Sequence, residues 1–333
     1  MKNVVVLGST GSIGKQVLEV IRTQPRDFKV VGLSGHKNVK LLNIQIAEFK
    51  PKYGGSVRIE DIEKIVTQKD VDLVVVGCSG TDFLPLLYSA IKAKKTIAMA
   101  NKEMIVEDGE KIMKEVKKYK TQFIPIDSEH SGIFQCLQGR KRSDIEKVIL
   151  TCSGGPFLKT SLNALKNVTA KDALKHPVWK MGKKISIDSA TLMNKALEII
   201  EAKYLFDLKP GQIEVLIHPQ CLVHALVQFK DGNIVAHLGY PDMKLPISYA
   251  LNYPNSKPNS FPRINLANNK LEFFSPDVKK FPSIQFAYKA LSLGRDYAKR
   301  LNRANDKVVE AFLNDEIGYL DIFKLIEKEL FKK

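Results

Sequence analysis

Val4-Val5-Val6-Leu7-Gly8-Ser9-Thr10-Gly11-Ser12-Ile13-Gly14 joins a run of four apolar residues directly to a turn with the spacing GxxGxxG. Glycine lacks Cβ, so the backbone at Gly8 and Gly11 can turn sharply and approach a pyrophosphate. A helix pattern follows from Ser12 to Ile21. Its N-terminus would offer free N–H groups and a partial positive charge to that anion. A glycine-rich turn alone marks only a tight turn. Placed after an apolar strand and before a helix, it predicts a dinucleotide site.

Outward from this stretch the first part of the chain alternates apolar runs with helix patterns. Phe28–Leu33, Leu73–Gly77, Thr96–Ala100 and Phe123–Ile126 read as strands. Continuous Val/Ile-rich runs separated by helices indicate a parallel sheet covered on both faces. That is the doubly wound, Rossmann-like arrangement, with ligands at the carboxyl ends of the strands. The middle of the chain differs. Glu214–His218, Leu222–Phe229 and Ile234–Leu238 read as strands, and Lys230-Asp231-Gly232-Asn233 is a hairpin signal. Prolines cluster from Tyr253 to Pro282 (Pro254, Pro258, Pro262, Pro276, Pro282), as in a linker. Ser283–Arg300 and Asp306–Phe331 are helix-patterned. The expected fold class is therefore α/β: a dinucleotide-binding domain over 1–125, a central α+β catalytic domain over 126–252, a linker over 253–282 and a small C-terminal helical bundle over 283–333.

Composition narrows the function classes. The chain has 333 residues, and its 52 lysines and arginines exceed 36 acids by 16, which favours anionic ligands. The dense basic run Lys114–Lys120 lies on a helix pattern and reads as a solvated face; no nucleic-acid-binding signature accompanies it, so no nucleic-acid partner is expected. No apolar run approaches the roughly 20 residues that span a bilayer, so no membrane partner is expected. The apolar start breaks at Gly8, too soon for a secretory core. A cytoplasmic chain with reduced thiols is expected. Cys78, Cys136, Cys152 and Cys221 show no CxxC spacing and read as packed, inert thiols.

The end of the second strand chooses between cofactors. NAD-specific folds place an acid there for the ribose 2′-OH. Here the chain reads Leu33-Ser34-Gly35-His36-Lys37-Asn38, with no carboxylate to repel a 2′-phosphate, so NADPH is expected over NADH. Lys37 alone reads equally as an exposed lysine at a helix start. Gly77-Cys78-Ser79-Gly80 ends another strand and would let the cofactor lie close to backbone. Asn101, Lys102 and Glu103 end the next, where nicotinamide and substrate should meet; Asn101 and Glu103 are taken as cofactor-side residues, and Lys102 as a donor to substrate oxygens.

Asp127-Ser128-Glu129 follows the strand over Phe123–Ile126. Two carboxylates without thiolates suit Mg²⁺ or Mn²⁺ rather than zinc, although acids also gather at helix N-termini for dipole reasons. On the helix opened by Ser186–Glu198, Asn194 and Glu198 share a face, with Lys195 adjacent. The apolar residues Leu192, Ala196, Ile199 and Ile200 form a separate stripe, so the polar group should face outward. From pattern alone a plain surface Lys195–Glu198 pair is the simpler account. Ser153-Gly154-Gly155 after a strand suits a phosphate. Trp179 lies between Pro177 and Gly182 and is either a lid or a core anchor.

Together the segments GSTGSIG (8–14), ANKE (100–103), PIDSEH (125–130), SGGPF (153–157), HPVWKMGKKISIDSATLMNKALE (176–198), VLIHPQ (215–220) and GYPDM (239–243) resemble the 1-deoxy-D-xylulose 5-phosphate reductoisomerase family. The resemblance implies that Asp127, Glu129 and Glu198 bind a divalent metal, Mg²⁺ or Mn²⁺ with Co²⁺ as a further candidate. It implies that Ser153, Ser189, Asn194 and Lys195 hold the substrate phosphate, and that Ser128, Glu129 and His176 contact the substrate. Lys102 would stand beside the reacting oxygens, and Trp179 and Met181 would belong to a flap. Gly8, Thr10, Gly11, Ser12, Ile13, Gly35, Lys37 and Asn38, with Asn101 and Glu103, would hold NADPH. The implied substrate is a phosphorylated deoxy-sugar, and the implied assembly is a homodimer with the ribbon Glu214–Leu238 as candidate interface. Two alternatives use the same scaffold: an NADPH-dependent reductase of homoserine or semialdehyde type, and an inactive NADPH-binding paralogue. Members of the family carry about one more strand–helix unit after Tyr53 and a longer C-terminus. A trimmed sheet edge and a reduced helical bundle are therefore expected.

Overall fold

The computed structural model describes residues 1–56, 58–179 and 182–332, without the side chain of Ser56. The chain divides into two compact units, Met1–Phe134 with Asp242–Arg263 and Gln135–Pro241 with Ile264–Lys333.

The first unit carries β1 (Lys2–Leu7), α1 (Ser12–Thr23), β2 (Phe28–Ser34), α2 (Val39–Phe49), β3 (Gly55–Ser56), α3 (Ile59–Val66), β4 (Leu73–Val76), α4 (Leu84–Lys92), β5 (Thr96–Met99), α5 (Lys102–Tyr119), β6 (Phe123–Pro125) and α6 (Ser128–Cys136), which runs across the border. The strands form one parallel sheet in the order β3-β2-β1-β4-β5-β6. The winding reverses between β1 and β4, which makes their carboxyl ends the switch point where such sheets bind ligands. Val4, Val5 and Val6 are at most 1% exposed although their side chains alternate between faces. Burial on both faces is why the strand is apolar throughout rather than alternating.

The second unit contains β7 (Ile145–Cys152), α7 (Ala170–Ala173), α8 (Lys183–Ala190), α9 (Met193–Phe206), β8 (Ile213–Ile217), β9 (Val223–Phe229) and β10 (Ile234–Leu238). The four strands make a mixed sheet in the order β10-β9-β7-β8, with β7 and β8 parallel and the other pairs antiparallel. Gly232, at φ +86°, turns the hairpin between β9 and β10. The chain then returns to the first unit through α10 (Lys244–Asn252), whose Ile247, Ala250 and Leu251 enter the core formed by α1 and the sheet. The expected border at 252 put this helix with the catalytic segment; its apolar face packs with the dinucleotide fold instead. α11 (Ser283–Leu293), α12 (Arg295–Leu313) and α13 (Tyr319–Leu330) complete the second unit.

Two local differences have clear causes. The expected helix Ser283–Arg300 is divided at Gly294, whose φ of +111° suits glycine, and α12 then runs unbroken through residues 300–306. The proline-rich segment is mostly irregular, yet Phe274 pairs with Ile217 by two main-chain hydrogen bonds of 2.8 and 2.9 Å. At the sheet edge, β3 keeps two residues, paired to Leu33 and Ser34 of β2. No helix among the described residues is long and apolar enough to cross a membrane.

Candidate active site

In the first unit the glycine turn is packed as tightly as its residue types suggest. Gly8 has φ +76°, and a Cβ there would lie 2.7 Å from the Cys78 main chain. A Cβ on Gly14 would lie 2.2 Å from the Gly8 carbonyl oxygen. These two glycines let β1, α1 and the end of β4 meet. Gly11 caps α1 without a side chain, and Gly11 and Ser12 are exposed, so the helix N-terminus is open to an anion. A Cβ on Gly35 would come 3.3 Å from the Thr10 methyl, so the end of β2 adjoins the turn. Ile13 packs under Gly77, where a Cβ would meet its methyl at 3.3 Å. His36 and Lys37 are exposed, whereas the Asn38 side chain caps α2 by accepting from Leu41 N–H at 3.0 Å. Asn101 is buried and fully used: it caps α5 through Met104 N–H at 2.7 Å and donates to the Cys78 and Gly80 carbonyls at 2.8 Å each. It thereby holds the Gly77–Gly80 loop to the end of β5. Glu103 lies in the first turn of α5.

Parallel register between β5 and β6, with Met99 opposite Pro125, brings the residues just beyond each strand side by side. Lys102 opens α5 and Asp127 precedes α6, and their partly buried side chains form an ion pair. The other Asp127 oxygen lies 3.0 Å from His130 Nδ1. Burial alone would push the Asp127 carboxyl up; the Lys102 ammonium and the His130 ring overcome it and hold it well below the usual carboxylate range. Ser128 donates to Glu129. His130 has no part in the sequence expectations. Its signal was position: three residues after Asp127, it shares a helix face with it.

In the second unit β7 ends in Cys152, and Gly154 and Gly155 adopt φ of +84° and +69°. A Cβ on Gly155 would lie 2.6 Å from the Ser189 carbonyl oxygen, so this turn packs against the end of α8. His176 Nδ1 accepts from the main-chain N–H of Val178 and Trp179, at 3.1 and 2.8 Å. The ring proton therefore sits on Nε2, which donates to Ser153 Oγ at 3.0 Å. Burial lowers the His176 pKa to about 4, consistent with that neutral form. Ser153 Oγ also accepts from Gly155 N–H at 3.0 Å, leaving its own proton to donate onward.

Lys195 and Glu198 are 2% and 1% exposed and form an ion pair, and Asn194 donates to the other Glu198 oxygen. The surface-pair account and the outward polar face are thus both overturned. α9 is buried almost all round, packed on α8, α11, β7 and β8. Leu192, at φ +56°, breaks the path between α8 and α9 and sets Ser189 and Asn194 on successive segments. The support beneath comes from residues with no expected role. Asp188 accepts from Asn305 Nδ2 at 2.7 Å and Lys184 Nζ at 2.8 Å, and Tyr319 donates to the Ala190 carbonyl at 2.6 Å. Trp179 is partly exposed, its ring 6.4 Å from that of His224. Met181 lies outside the described residues. None of the four cysteines is in a disulfide, and burial pushes the Cys78 thiol up to about 12 and that of Cys136 up to about 11.

A doubly wound sheet with a glycine turn at its switch point, joined to a unit bearing a buried Lys/Glu/Asn cluster, defines a two-part dinucleotide-dependent oxidoreductase. Family models described as 1-deoxy-D-xylulose 5-phosphate reductoisomerase match residues 4–61 and 55–109, and models of its C-terminal domains match 123–206 and 238–333. A reductoisomerase of that name from Pelotomaculum thermopropionicum is 44% identical, covering 100% of this chain and 92% of its own; that of Clostridium tetani is 45% identical, covering 100% and 93%. A crystal structure of DOX-P reductoisomerase in complex with NADPH, fosmidomycin and magnesium is 38% identical with a TM-score of 0.94, covering 100% of this chain and 90% of that one. The chain belongs to the 1-deoxy-D-xylulose 5-phosphate reductoisomerase family. The homoserine- or semialdehyde-type reading is not favoured.

Proposed function

We propose that the chain catalyses the NADPH-dependent reductive isomerisation of 1-deoxy-D-xylulose 5-phosphate to 2-C-methyl-D-erythritol 4-phosphate, in isoprenoid precursor synthesis. The observation that carries this reading is identity of 44–45% to reductoisomerases along the full chain. The alternative of an inactive paralogue is disfavoured because Lys102, Asp127, Glu129, Lys195 and Glu198 are all present.

Asp127, Glu129 and Glu198 are the proposed ligands of a divalent cation. The donor set fits a hard ion: it is all carboxylate oxygen, and Asp127 is held ionised. Mg²⁺ or Mn²⁺ suits it, with Co²⁺ a further candidate. Bound there, the cation would polarise carbonyl and hydroxyl oxygens and stabilise enolate charge. Lys102 donates to substrate oxygens beside it, with Ser128 as a further contact. Ser153, Ser189, Asn194 and Lys195 bind the phosphate. His176 orients the Ser153 hydroxyl through its fixed Nε2 proton. Phosphate binding lies away from the bonds that change, so its energy can be used for orientation and closure around the segment that carries Trp179. Retro-aldol cleavage and re-addition is the proposed rearrangement; Gly8, Thr10, Gly11, Ser12, Ile13, Gly35, Lys37, Asn38, Asn101 and Glu103 would hold NADPH, which would supply the hydride for the resulting aldehyde.

A cytoplasmic homodimer completes the proposal. β10 is an edge strand whose Ile234 is 52% exposed, which supports pairing through this ribbon. The test is NADPH oxidation with deoxyxylulose phosphate, with and without Mg²⁺. Oxidation that requires both substrate and cation is expected. No oxidation would overturn the activity, and oxidation indifferent to chelation would overturn the ligand set.

A further inference from the structure

α2 buries two side chains, Leu42 and Gln45, three residues apart on one face. Leu42 joins the apolar core. Gln45, 3% exposed, is the polar member of that buried face, so its amide must find partners there. Its Nε2 donates to the Ser9 main-chain carbonyl at 3.0 Å, and its Oε1 accepts from Ser9 Oγ at 2.7 Å. A carbonyl only accepts, so the orientation of the amide is settled by Ser9 O. Ser9 itself is fully buried; its N–H donates to Ser34 O at 2.8 Å, and its hydroxyl also lies 3.0 Å from that oxygen. Gly8 N–H donates to Ser34 Oγ at 3.0 Å. The first peptide groups of the glycine turn are therefore clasped from two sides, by β2 and by α2.

The direction of the clasp matters. The peptide joining Ser9 to Thr10 is trans, so its C=O and N–H point opposite ways. Holding the Ser9 carbonyl on Gln45 aims the Thr10 N–H away from α2. If that plane rotated, a carbonyl oxygen would replace a donor on the outer side of the turn, where an anion would meet repulsion. We propose that Gln45 is a positioning residue for the cofactor: by fixing the Ser9–Thr10 peptide it sets the affinity of the glycine turn for the pyrophosphate. The proposal rests on the NADPH reading above.

The test compares wild type with Gln45→Met, Gln45→Glu and Ser9→Ala. Gln45→Met keeps length and loses both hydrogen bonds; Gln45→Glu keeps an acceptor for Ser9 Oγ but sets an oxygen against the Ser9 carbonyl. Ser9→Ala removes only the hydroxyl contact. NADPH affinity is measured by fluorescence titration, alongside KM for NADPH, KM for deoxyxylulose phosphate, kcat, and binding of adenosine 2′-phosphate, which lacks the pyrophosphate. Both Gln45 variants are expected to raise the Kd and KM for NADPH about 10-fold, the loss of one well-directed hydrogen bond to an anion. KM for the sugar phosphate, kcat at saturating NADPH and adenosine 2′-phosphate affinity should stay within about twofold, as should NADPH affinity in Ser9→Ala. Unchanged NADPH affinity in the Gln45 variants would overturn the proposal. So would equal weakening of adenosine 2′-phosphate, which marks general loosening, or a Ser9→Ala effect as large as that of Gln45→Met. A wild-type protein that fails to bind NADPH overturns the cofactor reading itself, whereas wild-type binding that ignores Gln45 overturns this inference alone.

Discussion

Glu198→Gln keeps the shape of a nearly fully buried side chain and removes its charge. The Lys195 ammonium then loses the Glu198 carboxylate while staying buried, and one amide oxygen replaces two carboxylate oxygens that serve Lys195 and Asn194. Breaking a buried ion pair from one side costs about 3–5 kcal/mol. A surviving hydrogen bond places this change at the lower end, about 3 kcal/mol, or about 6–12 °C in Tm for a unit of this size. Removing both charges in Lys195→Met/Glu198→Gln takes away the buried ammonium as well, so the double variant should recover to within about 1 kcal/mol of wild type. Turnover should be nearly abolished in both, because both lose the proposed cation ligand and the double variant also loses a phosphate donor. Thermal and urea unfolding of the two variants, read with the NADPH-oxidation assay, check this. An unaltered Tm in Glu198→Gln would refute the buried-pair reading, as would a double variant less stable than the single one.

Other outcomes follow from the same residues. Asp127→Asn should nearly abolish turnover while NADPH affinity stays within about twofold, measured by fluorescence titration; normal rates would discredit the metal assignment. His36→Ala/Lys37→Ala should weaken NADPH more than NADH, and equal weakening would count against the 2′-phosphate argument. His176 has its pKa lowered to about 4 by burial, so the unfolded chain binds more protons than the folded one between about pH 4 and 6.5. Stability present above pH 6.5 should be lost as pH falls through that window, and His176→Asn should flatten the profile in urea titrations. Asn305→Leu deprives Asp188 of one of its partners and should raise KM for the sugar phosphate while costing about 1–3 kcal/mol of stability; an unchanged KM would show that α12 does not set the phosphate helices.

The architecture of the first unit was legible because its strands are buried on both faces and its turn is glycine-spaced. Val4–Leu7, Gly8 and Gly14 each have one physical solution: Gly8 needs positive φ and Gly14 leaves no room for a Cβ. Element ends were legible where a special residue marked them, as at Gly232. They were missed where the marker was weaker. Gly294 divides a helix that apolar spacing presents as continuous, because hydrophobic periodicity carries on across a single bent residue. Neighbourhood in sequence places residues 244–252 with the catalytic segment, whereas the apolar face of α10 follows α1 from far away in the chain.

The site was legible as residue types and not as environments. Asn194, Lys195 and Glu198 are polar at helical spacing, and spacing alone describes a solvated face. What distinguishes α9 is that its other sides are covered too, by helices and strands from elsewhere in the second unit, and no local pattern encodes that enclosure. The same holds for Asp188, bonded to a residue 117 positions away, and for Ser153, bonded to His176 across 23. A polar residue buried by distant partners costs free energy until every donor and acceptor is met. Its presence in an otherwise apolar face, as with Gln45 in α2, is therefore the one sequence-level trace of such a network. It tells where a bonding demand exists, while the fold alone tells which atom answers it.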